Sequence, residues 1–207
     1  MVRVNGPMMS LAASGTLANT IVFSIWKGRP YARERVVPSN PKSGGQVGRR
    51  AMFRFLTQNW AALTTVEKAT WETLADQDTV SPFNAYIKFN MASWHNYIAP
   101  TQDTPATRSG TPTDNVLTAA VWEENRIKLT FAGAVLNDFW GKIVYATLGA
   151  AFTPAVGNAI IVEYEDSIAS HDIFWTPPSV ATWYFNSQTF SDDGAIAAAG
   201  GEVNAVP

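Results

Sequence analysis

Residues Gly15–Arg54 read GTLANTIVFSIWKGRPYARERVVPSNPKSGGQVGRRAMFR, a run crowded with arginine in which Glu34 is the one acid. Thr20–Trp26 alternates β-branched and aromatic residues, which suits a pleated, half-buried strand. Lys27-Gly28 then supplies a turn, and a second strand follows. Arg29, Tyr31, Arg33 and Arg35 are spaced by two, so in a strand they project from one face and leave Ala32, Glu34 and Val36 on the other. Like charges aligned along a strand repel unless anions or a partner surface answer them. The hairpin is therefore expected to meet a partner. Pro38 and Pro41 end the strand, since neither donates to a ladder and each biases its predecessor to extended geometry.

Two partner chemistries suit this stretch. Guanidinium forks match carboxylates and phosphates alike, and Trp26 and Tyr31 between them suit either a protein anchor or base stacking. An ordinary solvated hairpin is the plain alternative.

Downstream, Pro38–Gly45 is an irregular connector into a helix beginning near Gln46. Met52, Leu56, Trp60 and Leu63 form its apolar stripe, with Arg50, Arg54 and Thr57 on the other side. Thr64 and Glu67 have capping-box spacing, which predicts a second helix over Thr65–Asp76 with Trp71 and Leu74 inward. Ser81-Pro82 opens a third helix to about Ile98, with Ile87, Met91, Trp94 and Ile98 as its core face and Pro100 as its stop. Phe83, Tyr86, Phe89 and Tyr97 lie outside that stripe, so the helix is expected to meet two neighbours. Thr101–Asp114, TQDTPATRSGTPTD, has the composition of a linker. Beyond it the period changes to two. Strands are predicted over Val116–Trp122, Arg126–Phe131, Phe139–Leu148, Ile160–Tyr164, Ile168–Trp175, Thr182–Phe190 and Ala195–Val203, a pattern that argues for an antiparallel sandwich. Trp122, Trp140, Trp175 and Trp183 are suited to its core.

The expected fold is thus α+β: an N-terminal arm over residues 1–14, a β-hairpin and a three-helix module over 1–100, a linker over 101–114, and a β-sandwich over 115–207. The 207 residues contain no cysteine, which excludes disulfides, thiolate metal sites and a cysteine nucleophile. Residues 1–60 carry nine Lys/Arg against one acid, and residues 61–207 carry six against sixteen. A basic head on an acidic body is able to associate with copies of itself. No apolar run approaches the roughly 20 residues needed to span a bilayer. Met8–Ala13 is too short and too weakly flanked to read as a signal peptide.

From Trp122 through Arg126–Phe131, Lys142–Tyr145 and Trp183–Phe185 to Ser191–Gly194, the C-terminal half resembles a fibronectin type III or immunoglobulin-like domain, with Trp183 and Tyr184 competing for the tyrosine-corner position. The N-terminal half resembles a group of bacteriophage and prophage proteins without an assigned activity. The residues that carry this are Ser14-Gly-Thr16, Phe23-Ser24, Trp26–Arg29, Tyr31, Arg33, Pro38, Asn40-Pro41, Gln46 and Arg49, followed by Trp60 and Ser81–Asn84. That resemblance implies a virion context, where added immunoglobulin-like domains are common on head and tail components.

No catalytic, cofactor-binding or metal-ligating constellation stands out. Gly44-Gly45-Gln46-Val47-Gly48 lacks the Lys-Ser/Thr of a phosphate loop and reads as a connector freeing the helix start. His95 has no partner at ligand spacing and is expected to pack or cap. His171-Asp172 with Glu163, Glu165 and Asp166 reads as a solvated loop before a divalent-cation site. Asp192-Asp193-Gly194 reads as a hairpin turn before a calcium loop. With no nucleophile elbow or serine–histidine pair, an enzyme is not expected.

The function expected is a structural role in a tailed-phage virion assembled in the host bacterial cytoplasm, favoured as a capsid-associated accessory or decoration protein. A head–tail connector, tail component or fibre anchor is the near alternative, and nucleic-acid binding the alternative of another class. Arg29, Arg33, Arg35, Arg49, Arg50 and Arg54 are expected to contact capsid, portal or tail subunits, or copies of this chain, with Trp26 and Tyr31 as aromatic anchors. Glycan binding by exposed tryptophans of the sandwich is a third class.

Overall fold

The computed structural model describes residues 2–3, 15–17, 20–37, 39–40, 42–113, 116–132, 139–164 and 170–207. Most of the expected arm, both strand-ending prolines Pro38 and Pro41, and Glu165 and Asp166 lie outside the described residues. The chain divides into two compact units, Met1–Pro41 and Lys42–Pro207.

The first unit is an antiparallel sheet of order β1-β4-β3-β2, from β1 (Val2–Arg3), β2 (Gly15–Leu17), β3 (Ile21–Trp26) and β4 (Arg29–Glu34). The expected turn joins β3 to β4: Lys27 and Gly28 have φ of 48° and 75°. Positive φ at both central residues gives the two-residue turn whose twist matches its strands. The register sets Trp26 against Arg29, Ser24 against Tyr31 and Val22 against Arg33. Arg35 lies past the end of β4, its N–H donating to the Thr20 carbonyl at 2.7 Å.

Among its described residues the second unit holds four α-helices and seven strands. Helix α1 (Gly44–Asn59) buries Met52, Phe55, Leu56 and Asn59. The predicted second helix is two, α2 (Thr65–Thr70) and α3 (Glu72–Asp78), broken at Trp71. The capping box forms as expected, with Glu67 N–H donating to Thr64 Oγ1 at 3.2 Å and Thr64 N–H to Glu67 Oε2 at 2.5 Å. The break follows from the Trp71 ring, which is fully buried and donates through Nε1 to the Gln102 carbonyl at 2.8 Å. Helix α4 (Pro82–His95) begins at the expected Ser81 cap and ends three residues early, with Tyr97 left-handed at φ 58°. Its buried face is Ala85, Tyr86, Asn90 and Trp94, so the expected stripe through Ile87, Met91 and Ile98 is rotated. Asn90 accounts for the rotation: it donates to the Thr101 carbonyl at 3.0 Å and accepts from the Thr101 N–H at 2.8 Å. A buried side chain that satisfies a returning backbone outranks an apolar one at the same height.

The strands are β5 (Leu117–Glu123), β6 (Arg126–Phe131), β7 (Gly141–Thr147), β8 (Ala159–Tyr164), β9 (His171–Trp175), β10 (Trp183–Phe190) and β11 (Val203–Ala205). They form antiparallel sheets of order β5-β6-β9 and β11-β10-β7-β8. The class is α+β, with a sandwich as expected. The final strand is shorter than the predicted Ala195–Val203: Ile196 makes one bridge to Phe190, and the ladder resumes at Val203.

The helices and the sandwich share a core, which corrects the expected boundary at 101–114. Met52, Phe55, Leu56, Tyr86 and Trp94 pack with Trp140, Ile143, Tyr145 and Phe190, while Val144, Ala146, Phe185 and Ile127 fill the space between the sheets. Strand β7 is therefore covered on both faces, and Gly141–Ala146 are all buried. The supposed linker is tied down: Thr101 is fully buried, and the Asp193 carboxylate accepts from the N–H groups of Ser109 at 2.6 Å and Gly110 at 2.8 Å and from Thr107 Oγ1 at 3.1 Å. Threonine, serine and glycine suit a strap bonded at every step as well as they suit a floppy linker.

The glycines expected to lead into the first helix lie within it and have a sharper purpose than a connector. A Cβ on Gly44 would stand 2.0 Å from the Gly157 carbonyl oxygen, and one on Gly48 2.3 Å from that of Val156. These two residues, one helical turn apart, let α1 lie against the single 3-10 turn Val156–Asn158 that enters β8. Gly45 faces open space.

Gly48→Ala is expected to destabilise the chain by about 2 kcal/mol through overpacking, whereas Gly45→Ala is expected to stabilise it by about 0.5 kcal/mol by restricting the unfolded chain. Urea unfolding of both variants checks the opposite signs. Burial alone would raise the pKa of Asp193, but hydrogen bonds from Ser191 and the N–H groups of Ala195, Gly110 and Ser109 hold it well below the usual carboxylate range. Its contribution is complete above the ordinary carboxylate pKa and is lost as pH falls below about 4. Asp193→Asn is expected to cost about 2 kcal/mol at neutral pH and to flatten the acid limb of a stability–pH curve.

Candidate functional site

The expected site residues fall into two groups, one on each unit. On the N-terminal sheet, directly paired residues share a face, so Arg29, Tyr31 and Arg33 stand beside Trp26, Ser24 and Val22. The cationic ladder forms, with three members in place of four, because Arg35 leaves the strand. Arg29 and Arg33 are exposed and Tyr31 half-buried, while Trp26 is 64% exposed with Lys27 Nζ 4.9 Å from its ring centroid. The opposite face carries Ile21, Phe23, Ile25, Pro30 and Ala32. Ile25 is 54% exposed. Among the residues of this unit whose burial is described, Gly15, Thr16 and those from Thr20 onward, none is buried. A sheet of this size ordinarily owes its stability to a covered apolar face.

Arg49, Arg50 and Arg54 are exposed on α1 and do different things. Arg49 donates from Nη2 to His95 Nδ1 at 2.7 Å, joining the start of α1 to the end of α4. His95, expected to pack or cap, is exposed and instead accepts this bond. Arg50 and Arg54 line an open cleft of about 760 Å³ between α1 and β8, together with Lys42, Phe55, Glu163 and Tyr164. Lys42 and the β8 residues were missed in the sequence, because periodicity does not say which strand a helix will face.

The remaining candidates are absorbed by packing. The His171 ring stacks on Phe131 with centroids 5.1 Å apart and contacts the fully buried Lys142. Asp172 accepts from Thr130 Oγ1 at 2.7 Å and pairs with Lys128 at 3.2 Å, and these hold its pKa below the ordinary value. Among the described residues no group of three or more His, Cys, Asp or Glu is placed to hold a metal ion. The four sandwich tryptophans are packed, as expected: Trp183 is buried between the sheets with Trp122 and Trp175 against it, and Trp140 is buried where the helices meet the sheet, so none of the four is exposed to a glycan. Trp26 is the exposed one among the eight tryptophans. No helix among the described residues is long and apolar enough to cross a membrane.

No protein-family model matches the chain, and comparison with curated proteins gives no match. Among solved structures, the chain is similar to an Fn3-like protein from Clostridium thermocellum, at 17% identity over 47% of this chain and 95% of that one, with a TM-score of 0.36. It is also similar to a beta-1,2-glucanase from Parabacteroides distasonis, at 12% identity over 47% of this chain and 13% of the enzyme, TM-score 0.37. A third similarity is to the spore cortex lytic enzyme SleM of Clostridium perfringens, at 13% identity over 46% of this chain and 28% of that chain, TM-score 0.34.

Proposed function

We propose that the chain is a structural protein of a tailed-phage particle, attached through its N-terminal sheet. The observation that carries this reading is a hairpin, β3 and β4, with no buried residue, yet furnished with arginine and aromatics on one face and isoleucine and phenylalanine on the other. Such a sheet gains most of its stability from whatever covers it. The order and spacing of Gly15-Thr16, Trp26–Arg29, Tyr31 and Arg33, with their likeness to phage and prophage proteins, support a neighbouring particle subunit as the cover. Attachment to the capsid as an accessory or decoration protein is the favoured role, ahead of a connector, tail or fibre-anchoring one.

In purified particles the chain is expected as a stoichiometric component. Quantitative mass spectrometry separates a shell protein, at about hundreds of copies, from a connector or tail ring at about a dozen. The double variant Arg29→Glu/Arg33→Glu is expected to drop out of particles, while its free-chain unfolding free energy in urea stays within about 0.5 kcal/mol of the parent, since both residues are exposed. Normal incorporation of that variant would sink the reading. Tight DNA binding by the free chain, falling linearly in log salt, with no chain in particles would replace it with the nucleic-acid reading.

Trp26 offers a second readout. In the free chain, Trp26→Phe is expected to remove most of the fluorescence readily quenched by acrylamide, and in particles the parent chain is expected to have lost that component.

A further inference from the structure

Strand β2 pairs with residues 21–23 of β3 and β1 with residues 31 and 32 of β4, so among the described residues the hairpin over 24–30 extends past both flanking strands. Ile25 and Trp26 stand 54% and 64% exposed there. Trp26, Arg29, Tyr31 and Arg33 share one face, and neither arginine side chain makes an ion pair or hydrogen bond among the described residues.

The second unit carries a set of the opposite sign. On α3, Glu72 and Asp76 are exposed and one turn apart, so they share a face. Asp103, also exposed, is held near the start of that helix, where Trp71 Nε1 donates to the Gln102 carbonyl and the Thr104 N–H donates to Thr70 Oγ1 at 3.1 Å. Asp78 is answered by Lys88 at 2.8 Å, whereas Glu72, Asp76 and Asp103 form no ion pair among the described residues. Val80, 39% exposed, follows the helix. Such carboxylates alone are a solvated face. What gives them a partner is the charge division of the chain itself, nine Lys/Arg against one acid in residues 1–60 and six against sixteen in 61–207.

We propose that the hairpin of one copy docks on the α3 face of another, Arg29 and Arg33 meeting Glu72 and Asp76, with Trp26 seated against Val80. Guanidinium forks suit carboxylates, and an exposed aromatic beside them supplies the apolar anchor. Each copy offers a different surface to its two neighbours, so the contact is heterologous and links copies head to tail in a ring or an open row. DNA would answer the hairpin and leave α3 unanswered, whereas a second copy answers both. The inference rests on the attachment reading, in which the sheet is a covered surface, and names a copy of this chain as the cover.

Sedimentation velocity of the full chain over about 1 to 200 μM is the test. The weight-average sedimentation coefficient is expected to rise with concentration in about 50 mM salt and less steeply in about 500 mM. Arg29→Glu/Arg33→Glu and Glu72→Lys/Asp76→Lys, all at exposed positions, are each expected to weaken association about tenfold or more. An equimolar mixture of the two variants, and a chain carrying all four changes, are expected to regain it, because opposite charges again face each other; an unfolded variant could not do this. The inference is overturned if the parent sediments as a monomer throughout, with or without binding to duplex DNA, if either variant associates as the parent does, or if the mixture and the four-change chain both stay monomeric. A monomeric parent beside normal entry into particles removes this inference alone. Association by a chain that never enters particles upholds it and removes the attachment reading.

Discussion

The approach of the α1 backbone to the Val156–Ala159 segment is what the rest of Lys42–Pro207 depends on. A methyl group at Gly44 or Gly48 would overlap carbonyl oxygens of that segment, so the helix lies where it does because those two positions carry hydrogen. Once α1 is seated there, Phe55 is delivered edge-on to Trp140 and Phe190, with ring centroids 5.0 and 5.4 Å away. Trp94 of α4 reaches the Gly48 carbonyl at 3.3 Å and locks the second long helix onto the first. The outer face of the β7–β10 sheet becomes an interior surface. Aromatic residues dominate the join, and their edge-to-face contacts add to the burial that holds it.

The two units solve the problem of stability in opposite ways. In Lys42–Pro207 the central strand β7 is covered on both faces, by the helices on one side and by β5-β6-β9 on the other. In Met1–Pro41 no residue whose burial is described is fully buried, and charge repulsion along Arg29 and Arg33 adds a cost that a partner with carboxylates or phosphates would relieve. That contrast within one chain is why attachment is argued from the first unit and not from the sandwich. The sandwich tryptophans, read from the sequence as core residues, are taken up by packing.

Local features were legible because their causes are local. The Lys27-Gly28 turn, the Thr64–Glu67 capping box and the Ser81-Pro82 helix start each need only a few adjacent residues, and each formed as read. The alternation in Ile127, Leu129 and Phe131 likewise placed β6 with its buried face correctly, all three side chains being inaccessible to solvent. Trp71 failed as a mid-helix residue because its indole answers Gln102, thirty-one positions away. Residues 101–114 failed as a linker because their composition is equally that of a hydrogen-bonded strap, and the partner that decides between the two is Asp193.

Turn chemistry, capping and hydrophobic period set the elements of this protein, their order and the class of sandwich they form, since these are short-range matters of backbone preference and burial. Only the packed chain decided that helices and sandwich would be one body, that Gly44 and Gly48 would serve close approach, and that β8 would share a cleft with Lys42, Arg50 and Arg54. Those outcomes depend on which surfaces meet across tens of residues, and a one-dimensional pattern of apolar and polar residues names the surfaces without naming their mates.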